Sequence, residues 1–348
     1  MRRPANRSSN PSEQPSRNND MIQKEQISTL NAIVQNSLSK WGMPADARAK
    51  LLSHSENAVF LLENNDGFRK ILRIHRTDYH SENAVLSELA WMEALHNDAG
   101  VETPKALPGL DGNLIQKVSA KPGEQARMVV LFEFIPGAEP KIDDLAEAFH
   151  HLGSISAHMH NHARSWKRPE FFERMTWDYR SSFGATPNWG SWKAGFAAHK
   201  PGIEIVERAD SVMKTRLQAF GKSQDRFGLV HSDLRLANLL VEHGKTKVLD
   251  FDDCGLGWYL YDVASSMTFL ENDPNADTII SSWIEGYQTV GRLSRDEIEE
   301  IPTFMMFRRL IVMGWAGSHP DTDLAKEMGE EYSVGTVEFA QKYLSAFG

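Results

Sequence analysis

The period of apolar positions changes along the chain, and each change predicts an element. Residues 1–20 are rich in Arg, Asn, Ser and Pro with almost no apolar content, a composition that predicts a disordered tail. From 22 to 40, Ile27, Leu30, Ile33, Val34 and Leu38 recur at helical spacing, which predicts a helix with one buried face. The stretch Phe68-Arg69-Lys70-Ile71-Leu72-Arg73-Ile74-His75 alternates instead, as a half-buried strand does. Between Ser81 and Asn97 the helical period returns at Val85, Leu86, Leu89, Met92 and Leu95. Met128 to Ile135 is an apolar strand closed by the Pro136-Gly137 breaker. Beyond it the pattern turns helical. Leu145, Phe149, Leu152, Ile155 and Met159 mark an amphipathic helix ending near His162. Ser294 and Glu297 read as a capping box, and a helix from Met305 to about Trp315 mixes Arg308 and Arg309 with apolar residues. There is no internal repeat.

Composition narrows the class. A chain of 348 residues with 41% hydrophobic content can bury one large or two modest cores. The net charge of −9 argues against a nucleic-acid partner, which calls for a basic patch. The apolar run Leu310–Ala316 is far too short for a membrane span. Cys254 is the single cysteine, which excludes an internal disulfide and suits a reducing cytoplasm, where it reads as a small buried residue. No secretory segment is visible, and the tail carries Glu13 and Asp20 without the apolar face of a transit peptide. His158 and His162 stand one turn apart but lack the acid of a zinc-protease motif, so they read as structural or solvated. Trp166, Trp177, Trp189 and Trp192 lie between 163 and 195; they either shape an acceptor pocket or fill a core. Trp315, His319 and Asp178 are further, weaker acceptor candidates.

The chemistry concentrates in His231-Ser232-Asp233-Leu234-Arg235-Leu236-Ala237-Asn238, followed twelve residues later by Asp250-Phe251-Asp252. Leu239-Leu240-Val241 reads as a strand, Glu242 to Lys245 as a turn with Gly244 free to take positive φ, and Lys247-Val248-Leu249 as the returning strand. A hairpin so placed brings Asp233, Asn238 and Asp250 to one end. Phosphoryl transfer needs these parts: a carboxylate for the attacking hydroxyl, and an amide and a second carboxylate for magnesium.

These motifs, with the continuation Asp253-Cys254-Gly255-Leu256-Gly257-Trp258 and Leu260-Tyr261-Asp262-Val263-Ala264, resemble the aminoglycoside phosphotransferase and choline kinase group, in particular its homoserine-kinase-like and stress-response-kinase-like bacterial members. The resemblance covers most of residues 50–345 and implies an α+β, bilobal protein-kinase-like fold. A small antiparallel-sheet lobe (21–135) would bind nucleotide, and a larger helical lobe (136–348) would carry catalysis and the acceptor. It implies ATP and Mg2+ as cofactors and a small hydroxyl acceptor, with oligomeric state open. Asp233 would be the base and Arg235 a cation for the transferring group. Asn238 and Asp250 would hold the metal with help from Asp252. Arg73 stands where the family has a phosphate-binding Lys, an exchange that keeps bidentate phosphate binding. Glu88 would pair with it. Ser55 and Asn57 would turn backbone N–H groups to phosphate, and Glu133, Phe134 and Ile135 would meet the adenine edge. His231 would prop the catalytic loop and Asp262 would order it. The acceptor stays open between an amine-bearing metabolite, such as homoserine, choline or an aminoglycoside, and a protein hydroxyl. A nucleotide-binding pseudokinase is the non-enzymatic alternative.

Overall fold

A computed structural model of the chain describes residues 14–54, 56–140, 145–196 and 201–348, with side chains described from residue 25 onward. It divides into two compact units. One holds the chain up to Glu82 together with Ala106–Phe134; the other holds Asn83–Lys105 together with Ile135–Gly348. The boundary is therefore not a single cut near residue 135, because the helical stretch beginning at Asn83 groups with the later chain.

The first unit is built on a six-stranded sheet in which every pairing is antiparallel. Its strands are β1 (Arg48–His54), β2 (Ala58–Glu63), β3 (Arg69–Ile74), β4 (Ala106–Leu107), β5 (Ile115–Val118) and β6 (Arg127–Glu133). The order is β1-β2-β3-β6-β4, with β5 also on β6. Helix α1 (Gln14–Leu38) covers one face. Leu30, Ile33 and Val34 interlock there with Phe60, Leu62, Leu72, Ile74, Val129 and Leu131, which is the apolar stripe finding its partner. The helix begins at Gln14, inside the stretch expected to be a disordered tail; residues 1–13 lie outside the described residues.

The second unit is mainly helical. It comprises α2 (Glu82–Ala99, all but its first residue), α3 (Leu145–Ser165), α4 (Tyr179–Phe183), α5 (Ile203–Phe220), α6 (Leu260–Ser266), α7 (Ala276–Gln288), α8 (Arg295–Ser318) and α9 (Asp323–Phe347). Helix α8 starts ten residues before the expected Met305: the Ser294–Glu297 capping box opens it and it runs through Pro302. Helix α3 packs on α7 through paired glycines. A Cβ on Gly153 would lie 2.0 Å from Trp283 O, and one on Gly286 1.8 Å from His150 O. Two small sheets complete the unit: the hairpin β9 (Leu239–Glu242) and β10 (Lys245–Val248), and β7 (Thr176–Trp177), β8 (Phe227–Val230) and β11 (Gly255–Trp258) in the order β7-β11-β8. Among the described residues no helix is long and apolar enough to cross a membrane.

Candidate active site

The hairpin forms as its turn chemistry requires. His243 and Gly244 take φ of 50° and 76° between β9 and β10, the left-handed pair of a two-residue turn. Its two ends carry the motif residues. Leu249 N donates to Asn238 O at 2.8 Å, tying the segment of Asp250 to that of Asp233.

Asp233 is 8% exposed and its carboxylate is held on both oxygens. Asn238 Nδ2 donates to Oδ2 at 2.9 Å and to the Asp233 carbonyl at 2.8 Å. That commits the amide nitrogen and turns the amide oxygen away. Arg308 of α8 donates from Nη2 to Oδ1 at 2.5 Å. Arg235 Nε reaches both oxygens at 3.1 and 3.2 Å. Burial alone would raise the Asp233 carboxyl, but the Arg235 and Arg308 charges outweigh it and hold it below the usual value.

The loop carrying Asp233 hangs on Asp262, at the start of α6. The Asp262 carboxylate accepts from His231 N at 3.1 Å, Ser232 N at 2.8 Å and His160 Nε2 at 2.9 Å. Ser232 sits at φ 72° and Asp250 at φ 57°, conformations a non-glycine residue holds only when its surroundings fix it. His231 accepts Asp233 N at Nδ1 (3.3 Å), so Nε2 carries the proton and donates to Leu249 O at 2.9 Å. This histidine is a staple between the two acidic segments, and burial keeps its pKa below 6.5. His160 is likewise neutral through burial, giving Nε2–H to Asp262 and standing 3.2 Å from Tyr287 Oη. The histidine-rich helix thus contributes a buried loop brace through His160.

After the hairpin, Asp250 is exposed while Asp252 and Asp253 are 3% and 9% exposed. The carboxylate oxygens of Asp252 and Asp253 approach within 4.8 Å. Buried carboxylates so close call for positive charge nearby. Arg174, 9% exposed, supplies some of it: its guanidinium donates to Cys254 O at 2.6 Å, to Ala84 O of α2 at 3.0 Å and to Asp252 O. Burial works against the Arg174 charge, and acidic neighbours that include Glu88, Asp252 and Asp253 outweigh it. Glu88 is fully buried on α2. The donors Asn238, Asp250 and Asp252 offer amide and carboxylate oxygens, the hard ligand set that suits Mg2+. Sequence reasoning gave no task to Asp253 and missed Arg174 and Arg308.

The residues expected to meet the nucleotide fall mostly in the first unit. Arg73 is 6% exposed on β3, with its guanidinium 5.1 Å from the Phe132 ring. Asn57 Oδ1 accepts from Arg76 N at 3.0 Å, so this side chain shapes the turn after β1. Ser55 lies outside the described residues. Glu133 pairs with Lys70 across the β3–β6 register, and Phe134 lies under Arg69 at 3.6 Å. Ile135 opens the second unit. Asp178 is spent elsewhere, capping α4 through Ser181 and pairing with Lys222 at 2.5 Å. Trp177, Trp189 and Trp192 are buried; Trp166 packs edge-on to Phe172.

Comparison with known proteins identifies the family and the fold. Residues 48–298 match the phosphotransferase enzyme family. The chain is 26% identical to amicoumacin kinase of Bacillus subtilis (strain 168) over 315 residues, 87% of this chain and 89% of that one. It superposes on the microcompartment-associated aminopropanol kinase with TM-score 0.83 and 37% identity, covering 91% of this chain and 98% of that one. The amicoumacin kinase hAmiN, solved with AMP-PNP, Ca2+ and Ami, shares the fold at TM-score 0.72 and 21% identity over 90% of this chain and 92% of that one.

Proposed function

The chain belongs to the phosphotransferase enzyme family, and on that premise we propose that it transfers the γ-phosphoryl group of ATP, with Mg2+, to a hydroxyl of a small amine-bearing metabolite. The observation that carries this reading is the Asp233 carboxylate fixed between Asn238 and Arg308 at the mouth of a hairpin whose returning strand delivers Asp250 to the same end. Asp233 orients the acceptor hydroxyl and takes its proton. Asn238, Asp250 and Asp252 are the residues to hold Mg2+, which when bound neutralises the phosphates and orients them. Arg235, with its side chain 28% exposed, serves the charge that develops on the transferring group. Arg73 and Glu88 act as phosphate-binding cation and counter-charge. Asn57 serves the phosphate-binding turn, and Glu133 to Ile135 meet the adenine edge. The 37% identity to the aminopropanol kinase supports short amino alcohols as the first acceptors to test.

The test is ADP release from Mg-ATP across a panel of amino alcohols, homoserine, choline and aminoglycosides, with Asp233→Asn as the control. Acceptor-dependent release, cut by roughly 10²–10⁴-fold in the variant, is the expected outcome. Release that no acceptor stimulates would overturn the small-metabolite reading, and near-normal turnover in Asp233→Asn would remove Asp233 from the base role.

A further inference from the structure

Arg308 lies inside an apolar stretch of α8, and its side chain is 3% exposed. A guanidinium stays charged, so one this buried must be matched by hydrogen bonds or its burial is strongly unfavourable. Here the matching is specific. Nε donates to Thr268 Oγ1 at 3.0 Å, Nη1 to Ser232 O and Tyr261 Oη at 3.0 Å each, and Nη2 to Asp233 Oδ1. One planar fork therefore grips the carboxylate of Asp233 and the carbonyl of the left-handed residue before it. Trp189 and Tyr261 stand beside the guanidinium, with ring centroids at 5.4 and 5.8 Å.

We propose that Arg308 is a positioning residue for phosphoryl transfer, locking the Asp233 carboxylate in its working rotamer. The inference rests on the reading of Asp233 as the catalytic carboxylate. Asn238 holds one oxygen and Arg308 the other, so rotation about the Asp233 side chain breaks one bond or the other. The two arginines on this carboxylate are not equivalent. Arg308 is enclosed and bonded from α6, the segment after it and the catalytic loop. Arg235 makes the longer Nε contacts and keeps a side chain that is 28% exposed. A lysine at 308 restores the charge but, as a point donor, does not bridge Asp233, Ser232, Tyr261 and Thr268 together.

The neighbouring Arg309 is an internal control. It is equally buried on the same helix, yet it binds Glu271 Oε2 at 2.9 Å, Thr336 Oγ1 and Tyr332 O, and does not touch Asp233. The experiment compares Arg308→Lys and Arg309→Lys, each with Asp233 intact and with Asp233→Asn. It measures kcat, KM for each substrate and the Kd of a non-hydrolysable Mg-ATP analogue. Arg308→Lys is expected to lower kcat by about 10–10²-fold, the scale of a small misplacement of a reacting group, with analogue Kd unchanged. In the Asp233→Asn background the same change is expected to cost less than about two-fold, because its target is gone. Arg309→Lys is expected to lower the melting temperature and leave kcat in place. The proposal is overturned if Arg308→Lys costs the same factor in both backgrounds, or if Arg309→Lys lowers kcat equally. Near-normal turnover in Asp233→Asn alone would instead sink the catalytic reading beneath it. Should Arg308→Lys not fold, Tyr261→Phe removes a single acceptor from the same guanidinium. A smaller kcat loss confined to the Asp233 background supports the proposal, and an equal loss in both backgrounds rejects it.

Discussion

Replacing Asp262 with Asn tests whether this buried carboxylate holds the catalytic loop in place. Three N–H groups converge on the carboxylate: His231 N, Ser232 N and His160 Nε2. An asparagine of the same shape has one acceptor oxygen and an NH2 group. If its oxygen faces Ser232 N, the NH2 meets His231 N and His160 Nε2, both donors. His160 can respond by moving its proton to Nδ1, with Tyr287 Oη as acceptor. The backbone N–H of His231 cannot respond. One buried donor is then orphaned at about 1–3 kcal/mol, and each remaining bond loses its charged acceptor, roughly 1 kcal/mol more. Relief of a buried charge offsets part of this, which leaves about 2–4 kcal/mol of destabilisation. Urea unfolding followed by tryptophan fluorescence measures it as a lower midpoint at unchanged slope. Turnover is expected to fall along with stability, because Ser232 loses part of what keeps it left-handed. A variant within about 0.5 kcal/mol of the parent protein would refute the triple-acceptor argument.

Gly286→Ala is expected to lower the melting temperature by several degrees, since its Cβ would lie 1.8 Å from His150 O and force α3 and α7 apart; an unchanged melting curve would contradict that close approach. Burial depresses the pKa of His160 and of His231 below 6.5, so under acid the unfolded chain binds protons that the native state does not. Stability from this source is whole above pH 6.5 and is lost as pH falls below it, by up to ~1.4 kcal/mol per unit for each group. His160→Gln should therefore flatten the urea-midpoint profile between pH 6.5 and 5.5, and a slope equal to that of the parent protein would count against it. Cys254 is fully buried and its thiol is pushed up to about 12. It is expected to react with a thiol reagent such as 5,5′-dithiobis(2-nitrobenzoate) only as fast as the protein opens, and rapid labelling of the folded protein would disprove this.

How much of this was legible depended on how local each signal was. The hairpin could be read because His243-Gly244 and the residues around it encode a two-residue turn in adjacent positions. The strand Arg69–Ile74 and the stripe Leu30, Ile33, Val34 declared themselves by period. Helix α1 reached further back than its pattern, since residues 14–21 show no apolar stripe to announce it. Arg308 was unreadable as a partner of Asp233, which lies 75 residues away. One clue was present: Arg308 and Arg309 stand among Phe304, Met305, Phe307, Leu310 and Ile311. A helix apolar on every side is buried, so its charges must find partners. That logic gives burial but not the partner. Arg174 carried no such clue, because it stands in an aperiodic segment and acts through backbone carbonyls, which sequence does not display. Asp178 misled, because an acidic residue that caps a helix looks the same in sequence as one that meets a ligand.

The placement of α2 has a consequence for synthesis. Its apolar face rests within the second unit, where Trp91 meets Phe251 edge to face at 5.5 Å. From Ala99 to Phe251 the ribosome adds roughly 150 residues, about 8–30 s at ~5–20 residues per second. For that interval Trp91 lacks the ring it will pack against, while the strands after the helix have emerged to complete the first sheet. The chain must therefore keep a finished sheet tethered to an unfinished helix, and that period of waiting is where a chaperone would have most to protect.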